Sequence, residues 1–161
     1  METGYKVYEI MNRDVQTAEC ETTICEIANQ MKTAKVGSII ILKENSPIGI
    51  ITEQDVVRKV VAEKNNPNET IVDGVADENL ISIESTRDIY DAMILMGNSE
   101  IKHLPVIDDG KLVGIITGKD IMRIEPHLVE MLAFKSSLDK EEAKKLFKKL
   151  ESASSPTRTF L

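Results

Sequence analysis

The stretch GIITEQDVVRK at residues 49–59 returns at residues 114–124 as GIITGKDIMRI. In both copies Gly-Ile-Ile runs into Thr, two variable residues and Asp, and an Arg follows three positions after the Asp. A shift of 65 residues carries the match outward without a gap: 6–60 lies on 71–125, with 10 of the 55 positions identical. Among the identities are Val7/Val72, Ile24/Ile89 and Met31/Met96, and many other pairs keep their character, such as Val15/Leu80 and Ile48/Val113. A self-match of this length is the mark of one supersecondary unit written twice.

Each copy shows the same coarse order. A short strand, DVQTA or NLISI, precedes a helix whose start is announced by Ser/Thr-x-x-acid signals at Thr23–Glu26 and Ser85–Asp88. Apolar residues at helical spacing, Ile24, Ile27, Ala28 and Met31 in one copy and Ile89, Ala92, Met93 and Met96 in the other, mark one buried face. Two apolar runs split by turn residues, SIIIL-KENSP-IGIIT and HLPVI-DDGK-LVGIIT, read as a β-hairpin. A second helix opens at Thr52 or Thr117. The linker AEKNNPNET between the copies is an exposed loop.

The fold class expected is α+β, two β-α-β-β-α repeats related by a pseudo-twofold axis. A unit of three strands and two helices scarcely covers its own sheet, and pairing two units buries the open face. The first repeat is expected over residues 1–65 and the second over 66–125. Residues 126–161 are expected to form a helical C-terminal extension with a disordered end. Pro126 breaks the preceding helix, and DKEEAKKLFKKLESA carries an Asp139-x-x-Glu142 start signal with Ala143, Leu146, Phe147 and Leu150 on one stripe.

Composition limits the function classes. With 42% hydrophobic and 29% charged residues the chain is ordinary for a globular protein. The first 20 residues lack a signal pattern, and no apolar run approaches the roughly 18 residues of a membrane span, so a cytoplasmic location away from membranes is expected. Residues 1–134 carry 13 Lys and Arg against 23 Asp and Glu, a net of −10, whereas 135–161 carry 7 against 4. A body this acidic repels a phosphate backbone, which argues against nucleic acid as a partner. Cys20 and Cys25 have no second pair and no adjacent His, so neither a metal site nor a disulfide framework is expected, and Cys25 is expected to be buried.

The repeated string admits two readings. Thr-x-x-Asp at a helix start is a capping box, in which the Thr oxygen accepts from the N3 amide and the carboxylate reaches back. A cap, however, needs only Thr and Asp, and Gly-Ile-Ile and Arg recur as well. The alternative is a nucleoside site: the glycine lets a ligand lie close, the Thr hydroxyl and helix amides bond phosphate, and the carboxylate accepts ribose hydroxyls.

These residues carry a resemblance. The strings IKHLPVIDDGKLVGIITGKDI and VGSIIILKENSPIGIITEQDV, with VYEIM and IVDGVA ahead of them, resemble a tandem pair of CBS domains, the Bateman module, over about residues 7–125. The resemblance implies a non-catalytic regulatory module whose ligand is an adenosine nucleotide or derivative: AMP, ADP, ATP or S-adenosylmethionine. It places the base in a cleft between the repeats, with Asp on the ribose and Thr on phosphate. One cleft would use Thr117, Asp120 and Ile115 with Met11, Asn12 and Val36, and the other Thr52, Asp55 and Ile50 with Ala76, Asp77 and Ile101. Lys102 and His103 stand where the family presents basic side chains to phosphate, and Arg58 and Arg123 are further phosphate candidates. Gly37 and Ser38 supply no such charge in the first copy and Asp77 adds a negative one, so the cleft around Asp120 is the favoured site. The resemblance also implies a homodimer and an unidentified protein partner that reads the ligand state. The competing expectation is an empty scaffold for oligomerisation or docking.

Overall fold

The computed structural model of the chain describes residues 3–124. A short helix α1 (Val7–Ile10) and strand β1 (Thr17–Glu19) precede helix α2 (Ile24–Ala34) and the hairpin β2 (Ser38–Lys43) and β3 (Ser46–Thr52). Helix α3 (Glu53–Asp55) follows and runs on as a π-wound segment over Val56–Val61. After a 3-10 turn at Val72–Gly74 the order recurs: α4 (Ile89–Ser99), β4 (His103–Asp108), β5 (Lys111–Thr117) and α5 (Gly118–Ile124). The architecture is α+β and built of two repeats. Among the described residues no helix is long and apolar enough to cross a membrane.

The 65-residue shift holds down to single hydrogen-bonded pairs. Ser38 faces Thr52 as His103 faces Thr117, Ile41 faces Gly49 as Val106 faces Gly114, and both hairpins carry an irregularity at the next pair. Both turn through two residues of positive φ, Glu44 (51°) and Asn45 (63°), then Asp109 (49°) and Gly110 (76°). This is the primed turn whose twist matches that of the strands, and it is why a two-residue connection suffices. In the first repeat β1 adds a parallel strand with Ala18 opposite Ile41. The expected strand NLISI is reduced in the second repeat to one bridge, Ile83 opposite Val106, in that same register.

Two hydrophobic clusters form, one per repeat, and each is completed by the other repeat's side of the chain. Val7 and Met11 are buried with Ile89, Met93, Leu104 and Ile116 of the second repeat, while Val72 and Val75 are buried with Ile24, Ile27, Ile39 and Ile51 of the first. The backbone repeats the exchange. Asn12 pairs with Ile115, N–H to O at 2.9 Å in both directions, and Asp77 pairs with Ile50 at 2.9 and 3.1 Å. Each lead-in segment thus crosses the last strand of the opposite hairpin, the reciprocal arrangement that a pseudo-twofold requires.

The repeated glycine follows from that crossing. A Cβ on Gly49 would stand 2.8 Å from the Asp77 carbonyl oxygen, and one on Gly114 would stand 2.5 Å from Met11 Sδ and 3.1 Å from the Asn12 carbonyl oxygen. The space that the sequence suggested for a ligand at Gly-Ile-Ile is therefore filled by the neighbouring segment's main chain, because only a residue without Cβ lets two backbones approach this closely.

Several local expectations differ from the structure. Helix α4 is capped by Asp88, whose carboxylate accepts from Tyr90 N–H, rather than by Ser85, whose N–H goes to Asp108. Asp88 is the 65-residue counterpart of Thr23, which caps α2 as expected. Cys25 is exposed and Cys20 buried, and Ala28 is exposed. The α2 face is narrower than its composition suggested, with Ile24, Ile27 and Met31 alone reaching the core. Pro126, the extension from 126 and its apolar stripe lie outside the described residues.

Candidate functional site

Both copies of the repeated string close into the same side-chain geometry. Thr52 donates to Asp55 Oδ2 through its N–H (2.9 Å) and its hydroxyl (2.6 Å), and Asp55 N–H returns a bond to Thr52 Oγ1 at 3.3 Å. Thr117 and Asp120 repeat the arrangement at 2.9, 2.6 and 3.4 Å. The capping box is real in both repeats. It also orients the carboxylate: two donors fix Oδ2 and leave Oδ1 for a further partner.

The two carboxylates then diverge. Lys59 Nζ lies 3.0 Å from Asp55 Oδ1 and donates at the same distance to the Val75 carbonyl. Burial alone would raise the Asp55 carboxyl, but the bonds from Thr52 and Lys59 outweigh it and hold the group below its ordinary range. The position equivalent to Lys59 is Ile124, and among the described residues Asp120 Oδ1 has no donor. Lys59 was not singled out from the sequence, although an Asp four residues ahead of a Lys is a readable helix pair.

Against each Gly-Ile-Ile run stand the residues of the opposite lead-in segment. Met11 lies over Gly114 and Asn12 pairs with Ile115, so Met11, Asn12 and Ile115 gather two residues before Thr117. Ala76 lies over Gly49 and Asp77 pairs with Ile50 in the same relation to Thr52. Asn12 and Asp77 also make equivalent turns, their side-chain oxygens accepting from the N–H groups of Asp14 and Asn79. At this equivalent position one lead-in segment carries a neutral amide and the other a carboxylate.

His103 stands where the repeats face each other. An ideal Cβ on Gly37 would meet Glu53 Oε2 at 3.4 Å and His103 Nε2 at 3.6 Å, which brings the start of β4 against the start of β2. Burial first, with Lys102 and Lys119 adding, pushes the His103 imidazolium down in stability, and Glu53 and Asp120 oppose them. The imidazole is held with its pKa below the usual 6.5. Lys102 is exposed beside it, and its carbonyl accepts from Gly118 N–H as that of Gly37 accepts from Glu53 N–H. The acidic Glu53 was not anticipated at this seam.

The remaining candidates are placed more loosely. Val36 and Ile101 are half-buried against the cores of their own repeats, Val36 one residue from the Gly37 that faces His103. Arg58, on the π-wound segment after α3, and Arg123, on α5, are exposed beyond the carboxylates. Among the described residues no group of three or more His, Cys, Asp or Glu is arranged to hold a metal ion.

Comparison with known proteins falls on the same two segments. The family model described as the CBS domain matches residues 7–62 and again 72–127. The chain is similar to an uncharacterized protein of Methanopyrus kandleri, 41% identical over 139 residues that make up 82% of this chain and 71% of the relative. It is similar in structure to a putative signal-transduction protein with CBS domains from Burkholderia ambifaria, at 25% identity and a TM-score of 0.72 over 76% of this chain and 95% of that one. It is also similar to a CBS domain pair solved in complex with 5′-methylthioadenosine and S-adenosyl-L-methionine, at 26% identity and a TM-score of 0.70 over 76% of this chain and 97% of that one.

Proposed function

The chain belongs to the CBS-domain family as a tandem pair, and on that premise we propose that it is a non-catalytic regulatory module that binds an adenosine nucleotide or derivative in the clefts between its repeats. The observation that carries this reading is the pair of oriented carboxylates, Asp55 and Asp120, each set at the end of a strand that the opposite repeat's lead-in segment crosses. A cap alone explains Thr and Asp, but not why both lie at the seam where relative movement of the repeats would be felt. The similar pair that was solved with 5′-methylthioadenosine and S-adenosyl-L-methionine supports adenosine as the shared chemistry. Thr117, Asp120, Met11, Asn12 and Ile115 line the favoured cleft, and Lys102 and His103 receive any phosphate. A ligand that binds one relative arrangement of the repeats more tightly shifts the population toward it, and a partner protein reads the result.

The test is calorimetric titration with AMP, ADP, ATP, S-adenosylmethionine and 5′-methylthioadenosine, followed by the best of them on Asp120→Asn. Replacing an acceptor oxygen by NH₂ sets donor against donor, and the expected loss is roughly 10- to 150-fold in affinity, or about 1.5–3 kcal/mol. Unchanged affinity in Asp120→Asn would reduce the repeated string to a cap.

A scaffolding role has its own observation in favour. Val57 and Val61 on the π-wound segment after α3, Ile71, and Met122 and Ile124 on α5 are large apolar side chains left exposed, with Val57 and Met122 at equivalent positions of the two repeats. Such faces are suited to association with a second copy, and the homodimer belongs to this proposal as well. Light scattering should give twice the monomer mass of 18.0 kDa, falling to the monomer in Val57→Glu/Met122→Glu. A wild-type protein that stays at monomer mass at micromolar concentration refutes the pairing.

A further inference from the structure

The two clefts are built from one repeated unit, yet one holds a cation of its own. We infer that Lys59 is an internal occupant of the Asp55 cleft, so that the chain offers one open ribose site, at Asp120, and one closed site. The inference rests on the adenosine reading above and deepens it.

The geometry is specific at the level of single oxygens. Asp55 Oδ2 is already bonded twice by Thr52, and the Lys59 ammonium sits on Oδ1 at 3.0 Å. The same ammonium is tied to the Val75 carbonyl at 3.0 Å, so it bridges the Asp55 end of α3 to the segment that crosses β3. Lys59 lies inside the π-wound segment Val56–Val61, a winding that recurs at functional sites in place of regular helix. At Asp120 the Thr117 bonds are the same but the equivalent residue is Ile124, which has no donor to offer. A ribose diol entering at Asp55 must displace a charge-assisted bond, whereas one entering at Asp120 meets a carboxylate oxygen that no donor occupies among the described residues. The second difference points the same way, since Asp77 stands where the open cleft has Asn12. A permanent ammonium on the first carboxylate also makes the ligand response graded: a single ligand loads the open cleft, and the closed one fills only when the Lys59 bridge is broken.

The probe is 5′-methylthioadenosine, which keeps both ribose hydroxyls and has no phosphate to draw Lys59 away. Wild-type protein should take one equivalent tightly in calorimetry, with a second at least about tenfold weaker. Lys59→Ile, which installs the residue of the second repeat, and Lys59→Gln, which keeps the stem and removes the charge, should both give two equivalents of comparable affinity. Lys59→Arg should keep the wild-type pattern. Lys59 is about half exposed, its side chain at 47%, so loss of its ion pair should lower the unfolding midpoint only slightly and leave these variants folded. Two equal sites in the wild type, or a titration unchanged by Lys59→Ile and Lys59→Gln, overturns the inference and leaves the adenosine reading standing. Failure of the wild type to bind this probe or any of the four compounds above overturns that reading and this inference with it.

Discussion

Replacing Gly49 by Ala tests the reciprocal exchange directly. The added Cβ would stand 2.8 Å from the Asp77 carbonyl oxygen and 3.5 Å from its carbon, and the obstacle is backbone, which cannot rotate away. The crossing segment must therefore retreat by some tenths of an ångström. That retreat strains or breaks two hydrogen bonds, Ile50 N–H to Asp77 O at 3.1 Å and Asp77 N–H to Ile50 O at 2.9 Å. Each such bond contributes about 0.5–1.5 kcal/mol net. The overpacking adds about 1–3 kcal/mol, and the lost freedom of the unfolded chain returns only about 0.4–1 kcal/mol. Together these terms give an expected cost of about 1–5 kcal/mol, centred near 3 kcal/mol. Gly74→Ala is the control, because nothing beyond its chain neighbours and its own helical turn lies within 4 Å of an added Cβ and its φ is not positive; it should stabilise by about 0.4–1 kcal/mol. Gly114→Ala should fall between them, since its nearest obstacle is the flexible end of Met11. Urea unfolding followed by circular dichroism gives all three on one scale if the transition is two-state. A Gly49→Ala protein within about 0.5 kcal/mol of Gly74→Ala would show that the glycines are not held by the crossing segments.

Three further outcomes follow from titratable groups. Burial keeps His103 neutral below its ordinary pKa, and a bound phosphate favours the imidazolium, so AMP affinity should rise from pH 8 to pH 6.5 in calorimetry while 5′-methylthioadenosine affinity stays level and His103→Asn flattens the AMP response. Burial of Asp88 is outweighed by bonds from Tyr90, Thr3 and Gly4, so its folded pKa lies below the unfolded 3.8; its stabilisation is whole above that value and is lost as pH falls through the lower folded one. Asp88→Ala should cost about 2 kcal/mol at pH 7 and progressively less below pH 4, measured by urea unfolding. Cys25 is exposed, whereas Cys20 is buried with its thiol raised by the hydrogen bond to Glu21, so a thiol reagent should modify Cys25 rapidly and Cys20 only on unfolding; equal rates would contradict the placement.

Much of the fold was legible in the sequence because a gapless 65-residue shift encodes register as well as order. Once Gly49 is laid on Gly114, the hairpin pairs Ser38–Thr52 and His103–Thr117 follow together, and the turn residues agree. The shift also carried the correct cap for α4: Thr23 maps to Asp88, and the local Ser85-x-x-Asp signal misled because a capping pattern has no memory of the other copy. The two Thr-x-x-Asp boxes were legible for a different reason, since their bonds span three residues and depend on little else.

What only the tertiary structure decided are the contacts between segments far apart in the chain. Val7 packing in the second core, Val72 in the first, and Asn12 lying along Ile115 rest on backbone hydrogen bonds and apolar burial that leave no periodic trace. The glycine was visible in the sequence, but its cause was not, because what excludes a Cβ at 49 is a carbonyl of residue 77. The different surroundings of the two Thr-x-x-Asp boxes were partly legible in Asp77, Lys102 and His103 as charges. That Lys59 rests on Asp55 Oδ1 while anchored to Val75 depends on where the segment after α3 returns over β3. Side-chain spacing fixes interactions within about one helical turn, whereas a contact across 16 residues of chain exists only once the fold has brought its two ends together.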